Sequence, residues 1–139
     1  MTNDAFRLID LPQRRDARGL LVFGQTPEHV PFEVRRFFLL CDLAPGQGRG
    51  GHAHRRQHQY LVMTAGSCVV EIDDGAGRAA VSLDMPSRAL YVPPMHWLDL
   101  RDFSAEAACL VLTSDVYDEA DYVRDYDEFL SLSKAGSTA

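Results

Sequence analysis

The chain is divided at short intervals into β-rich runs, each ended by a turn signal: Phe6–Leu11, Leu20–Gln25, Arg35–Leu43, Gln59–Thr64, Cys68–Asp73, Ala79–Leu83, Ala89–Val92, Trp97–Leu100 and Ala107–Thr113. Between them fall APGQGRGG at 44–51, AGS at 65–67, DDGAG at 73–77 and the proline pair at 93–94. Strands this short and numerous bury their apolar sides by packing into an antiparallel sandwich or barrel, so an all-β fold is expected. In Cys68–Asp73 the side chains alternate: Cys68, Val70 and Ile72 share one face, and Val69, Glu71 and Asp73 the other. The run Arg35–Leu43 departs from alternation. Phe37, Phe38, Leu39 and Leu40 follow one another, which suggests a strand covered on both sides, with a second copy of the chain as one cover.

The length of 139 residues fits one domain. It is expected to span residues 1–133, with the KAGSTA end, 134–139, disordered. After Thr113 the pattern changes. Val116, Ala120, Val123 and Leu130 recur at helical spacing, and Ser114 or Asp118 can cap the start, so a helical tail packed on the β-domain is expected. The acidic run Asp115–Glu128 then reads as a solvated helix face, and Tyr91, Tyr122 and Tyr126 as packing residues.

A net charge of −6, with no basic stripe to offset it, argues against nucleic acid as a partner. The beginning, MTNDAFRLID, lacks a basic segment followed by an apolar core, and no apolar stretch has the length of a membrane span. A cytoplasmic protein with no membrane contact is expected. Cys41, Cys68 and Cys109 each sit in an apolar run and read as reduced core thiols.

The chemistry concentrates in Gly46–Gly66. His52 and His54 are two apart, so on a strand both imidazoles enter the same cavity. The glycines before them let the backbone turn tightly. Histidine carries a proton affinity suited to acid–base work near neutral pH. His96, after the Pro93–Pro94–Met95 turn, can line the same pocket. His58 shares the parity of the pair but reads as a rim residue, and Arg55 and Arg56 as a solvated pair.

The spacing of this segment resembles the first cupin motif: glycine, five residues, His-x-His, four residues, a ligand position, six residues, glycine. Gln59 stands where the motif has glutamate. In the second motif, Pro93 to Leu98, leucine stands at the metal-histidine position. A wider resemblance spans most of the chain. DARGLL (16–21), PFEVRRFF (31–38), RGGHAH (49–54), ALYVPPMHW (89–97), DFS (102–104) and SDVYDEADYVRDYDEFL (114–130) are similar to the dTDP-4-keto-6-deoxyhexose 3,4-ketoisomerases, a WxcM-like group of cupins.

This resemblance implies a cupin, RmlC-like jelly-roll β-barrel with a short C-terminal helix. It implies a homodimer that uses neither metal nor cofactor. The implied reaction moves the keto group of a dTDP-bound 6-deoxyhexose from C4 to C3, through an enediolate, and its product feeds 3-amino-3,6-dideoxy sugar synthesis. By position, His52 and His54 become the catalytic residues. Arg18 becomes a nucleotide or pyrophosphate contact, and Arg36, Arg49, Gln59 and His96 complete the substrate-binding set. Phe38 replaces a tyrosine of the relatives. Two other readings stand beside this one. A metal-dependent cupin enzyme would use His52, His54 and His96. A non-catalytic sugar-nucleotide-binding cupin is favoured by Phe38.

Overall fold

In the computed structural model, which describes residues 5–137, twelve strands and one α-helix follow in chain order. The strands are β1 (Arg7–Asp10), β2 (Gln13–Asp16), β3 (Gly19–Val22), β4 (Arg36–Leu40), β5 (Arg49–His54), β6 (Gln59–Ala65), β7 (Cys68–Asp73), β8 (Arg78–Leu83), β9 (Arg88–Val92), β10 (Trp97–Arg101), β11 (Ala108–Thr113) and β12 (Tyr122–Val123). A 3₁₀ turn, Glu119–Asp121, precedes β12, and α1 (Tyr126–Ser137) closes the described chain. One sheet has the order β1-β9-β6-β11-β4, the other β12-β5-β10-β7-β8, and β2 and β3 form a separate hairpin. Every pairing is antiparallel. The result is the all-β, two-sheet cupin architecture with a short C-terminal helix.

Alternation decides which side chains meet between the sheets. Leu61 and Met63 of β6, Leu90 and Val92 of β9, and Cys109 and Val111 of β11 pack against Val70 and Ile72 of β7, Leu83 of β8, and Leu98 and Leu100 of β10. Intervening residues of the first sheet, Tyr60, Ala89 and Tyr91, turn outward and pack with Leu11 and Val30. On the outer side of the second sheet, Ala53, Trp97 and Val123 are covered by Phe129 of α1. Tyr126 of α1 also hydrogen-bonds the Asp73 carboxylate, which docks the helix on β7.

In the run Arg35–Leu43, β4 is an edge strand on which Phe38 and Leu40 pack inward, while Phe37 and Leu39, the face expected to be covered by a second copy, are 64% and 54% exposed in the single chain. Three sequence expectations need correction. Cys41, just past β4, is exposed, whereas Cys68 and Cys109 are core thiols. The helical spacing beginning at Val116 does not produce a helix there. Ala120 lies in the 3₁₀ turn capped by Asp118, and Val123 is buried because β12 pairs with β5. The α-helix begins only at Tyr126, where Asp125 accepts the Asp127 and Glu128 amide N–H groups. It continues through Ser137, so residues 134–137 of the tail expected to be disordered are helical; 138 and 139 lie outside the described residues.

Strand β5 contains the histidine pair and owes its path to two glycines. Gly50 has φ +105° and Gly51 φ +77°, a region where a side chain is strained. A Cβ at Gly50 would lie 2.6 Å from the Leu98 carbonyl oxygen. Here the β5–β10 register shifts between Leu98 and Asp99. This irregularity re-aims the strand before His52.

Candidate active site

His52 pairs with Leu98 of β10, whose side chain is in the core, so His52 and His54 face the interior. Arg36 of β4 and Gln59 of β6 share the parity of their strands' inward residues, Phe38 and Leu61, and face the same interior. On its other edge β5 is paired by β12, with Tyr122 opposite His54 and Val123 opposite Ala53. The C-terminal segment therefore forms the second wall.

The two imidazoles lie 5.2 Å apart, centroid to centroid, and nearly perpendicular at 88°. The Tyr122 ring is 5.1 Å from His52 and 4.4 Å from His54. His54 is buried, and its Nδ1 lies 3.0 Å from the equally buried Asp121 Oδ2. A carboxylate accepts, so Nδ1–H donates, and the lone pair falls on Nε2. There the Gln57 amide nitrogen approaches to 3.3 Å. Asp121 is fixed in turn: its Oδ1 accepts the Arg56 amide at 2.7 Å, and its carbonyl accepts the Arg55 amide at 2.9 Å.

His52 differs. It is half-buried, and its Nδ1 is buried without a hydrogen-bond partner. Burial lowers its pKa to about 4, helped by the nearby His54 and Arg124 charges and opposed by the Gly50 backbone and Glu119. Burial also lowers the pKa of His54, against the hydrogen bond and charge of Asp121. Near neutral pH both rings are neutral, which is the form that accepts a proton.

Two arginines border the pair. The Arg36 guanidinium stacks over Phe38 at 5.2 Å and Tyr117 at 5.6 Å, with Nε buried and unpartnered. Arg124 lies 4.2 Å over the Tyr122 ring and pairs with Glu119 at 2.9 Å, and the Tyr117 hydroxyl donates to Glu119 at 2.6 Å. An unpaired guanidinium beside two neutral imidazoles suits an anionic ligand with acidic C–H and O–H groups.

The remaining sequence candidates are placed differently. Arg18 is at the tip of the β2–β3 hairpin, 90% exposed and paired with Asp16 at 2.7 Å. Arg49 is exposed at the start of β5. His96 is buried, donates from Nδ1 to the Pro94 carbonyl at 3.0 Å, sits edge-on to Phe6, and makes no hydrogen bond to the histidine pair. His58 is half-buried, with Nδ1 2.7 Å from the Tyr91 hydroxyl. Among the described residues, no group of at least three His, Cys, Asp or Glu side chains is arranged to hold a metal ion. Asp121, Gln57, Tyr122, Glu119 and Arg124 are site residues that sequence reasoning did not assign. The only available signal was their place in or near motifs of the family resemblance.

The family described as FdtA, WxcM-like, C-terminal matches residues 4–134. The TDP-4-oxo-6-deoxy-alpha-D-glucose-3,4-oxoisomerase of Aneurinibacillus thermoaerophilus is 40% identical over 136 residues, 94% of this chain and 98% of that protein. The crystal structure of a 3,4-ketoisomerase from Helicobacter canadensis superposes with a TM-score of 0.89 at 36% identity, covering 93% of this chain and 97% of that one. QdtA, a sugar 3,4-ketoisomerase from Thermoanaerobacterium thermosaccharolyticum crystallised with TDP, gives a TM-score of 0.90 at 30% identity, covering 94% and 95%.

Proposed function

The chain belongs to the FdtA, WxcM-like C-terminal family, and we infer from that membership and from its histidine pair that it is a sugar-nucleotide 3,4-ketoisomerase. Its substrate is a TDP-4-keto-6-deoxyhexose and its product the 3-keto isomer. The observation that carries this reading is the half-buried His52, 5.2 Å between ring centroids from a carboxylate-backed His54 on the same strand face.

The reaction shifts hydrogens without an external oxidant. His52 Nε2 removes the proton from C3, the C3–H electrons form C3=C4, and the carbonyl electrons move to O4. O4 gains a proton and O3 loses one, so C3=O forms while His52 returns its proton to C4. His54 has a lone pair on Nε2 and mediates the transfer from O3 to O4. The half-buried Arg36, its Nε unpartnered, offers charge to the substrate's anionic part. Gln59 and His96 remain proposed contacts to the substrate.

Exposed Phe37 and Leu39 form an apolar face on edge strand β4. On the outer side of the same sheet, Leu20, Val22, Tyr60, Val62, Leu110 and Leu112 line a groove of about 430 Å³. These surfaces support a homodimer. Arg18, exposed on its hairpin, and Arg49 serve the phosphates in that dimer. Free core thiols fit the reducing cytoplasm, and no described helix is long and apolar enough to cross a membrane. The product, a ketone at C3, is a substrate for an aminotransferase making 3-amino-3,6-dideoxy sugars.

The test is NMR of TDP-4-keto-6-deoxyglucose in deuterated water with the purified protein. Wild type should form the 3-keto isomer and exchange the C3 hydrogen. His52→Asn should lose both, and His54→Asn should lose isomerisation while retaining exchange. Normal exchange in both variants would remove the histidines from the mechanism.

A further inference from the structure

Asp121 contributes nothing directly to the cleft, yet it is 2% exposed and spends one carboxylate oxygen on His54 and the other on the Arg56 amide. A buried anion is costly unless it is hydrogen-bonded and paired. Two donors meet it, with the Arg56 guanidinium 3.7 Å away. A carboxylate oxygen accepting at Nδ1 permits one neutral tautomer of His54, that with its lone pair on Nε2. The Gln57 amide meets that lone pair at 3.3 Å, long for a hydrogen bond and readily exchanged for a substrate hydroxyl.

We propose that Asp121 is a positioning residue for the isomerisation, acting through His54: it fixes the tautomer that takes the O3 proton and stabilises the imidazolium formed when it does. The proposal rests on the ketoisomerase reading. The proton leaves O3, resides on His54 Nε2 while Asp121 accepts from Nδ1–H, and passes to O4. C3=O forms as C4 receives the proton held by His52. Asp121 touches neither carbon centre, so abstraction at C3 is separable from it.

Asp121→Asn is a sharp test because it preserves shape. Its amide oxygen can still accept the Arg56 N–H, but its NH₂ then faces Nδ1 and forces the proton of His54 onto Nε2. In a hydrolase triad the same substitution, acting through the wrong tautomer, costs about 10⁴-fold. For Asp121→Asn the expected result is a fall in isomerisation kcat of about 10²–10⁴-fold, with KM within about twofold and C3 exchange retained within about tenfold. ¹⁵N-histidine NMR should place the His54 proton on Nδ1 in wild type and on Nε2 in the variant. Unchanged kcat would overturn the proposal. So would exchange and isomerisation falling together with a raised KM, the signature of a merely structural role. Should the variant not fold, the wild-type spectrum decides: a proton on Nδ1 sustains the proposal, and one on Nε2 overturns it. If wild type turns over no keto sugar, the ketoisomerase reading fails, and the mechanism built on it falls separately from the tautomer measurement.

Discussion

Gly50→Ala should be among the most damaging single-methyl changes available to this chain. At φ +105° the backbone is outside the regions open to a side chain, and strain of that kind costs about 1–3 kcal/mol. The added Cβ would sit 2.6 Å from the Leu98 carbonyl oxygen and 3.3 Å from the Asp99 Cα, both backbone atoms that no rotamer change can clear. Separating them means moving β5 off β10 at the register shift, and overpacking of this sort adds about 1–3 kcal/mol. The expected loss is about 4 kcal/mol. Gly46→Ala is the internal control: its φ is +74°, but a Cβ there meets nothing within 4 Å, so only the backbone strain remains, about 1 kcal/mol. Urea unfolding of the two variants beside wild type gives both numbers. Where Gly50→Ala stays folded, His52 lies two residues downstream on the displaced strand, and kcat should fall about 10²-fold. The reasoning fails if Gly50→Ala unfolds within about 1 kcal/mol of wild type, or if the two variants cannot be told apart.

Four further outcomes follow from the structure. His52, with its pKa lowered to about 4 by burial, must be neutral to take the C3 proton, so the acid limb of C3 hydrogen exchange should fall near pH 4; a limb near 6.5 would contradict the assignment. Because the unfolded chain binds a proton there that the folded chain refuses, stability should decline as pH falls from 6.5 through about 4, by roughly 2 kcal/mol after allowance for partial exposure. Phe37→Asp with Leu39→Asp should convert the proposed homodimer to monomer in sedimentation without unfolding it, and a wild type that sediments as a single chain would remove the dimer. Phe129→Ala opens the packing of α1 on Trp97, at 5.8 Å between ring centroids, and should cost about 3–5 kcal/mol in thermal or urea unfolding; a loss below 1 kcal/mol would mean the helix is not anchored there.

The strands that alternate regularly were legible because each one's periodicity reports its own two faces, as Cys68, Val70 and Ile72 do. Strand β5 was not recognised by propensity: Gly50 and Gly51 are poor strand formers, and tertiary pairing with β10 and β12 sustains it. The His-x-His spacing nevertheless placed His52 and His54 on one face, since parity survives without propensity. Phe37 and Leu39 are apolar on the face of edge strand β4 that the single chain leaves exposed, and sequence alone does not separate a core contact from a contact with a second copy. Asp121 was hidden in an acidic run. Its partner His54 is 67 residues away in sequence, and nothing local marks one carboxylate among many as the buried one. Val123 fitted a helical repeat by coincidence; its burial comes from β12 lying against β5.

The two-residue strand β12 also sets a condition on synthesis. The buried residues of the core between the two sheets are all in place by Thr113, but Asp121, Tyr122 and Val123 reach His54 and Ala53 only when the following stretch lies down on β5. A ribosome that has exposed the chain as far as β11 holds strands able to collapse, with one histidine of the pair still lacking its carboxylate. The histidine site is therefore completed only after the core strands are made, and cleavage between Thr113 and Glu119 should lower activity by freeing Asp121 from His54.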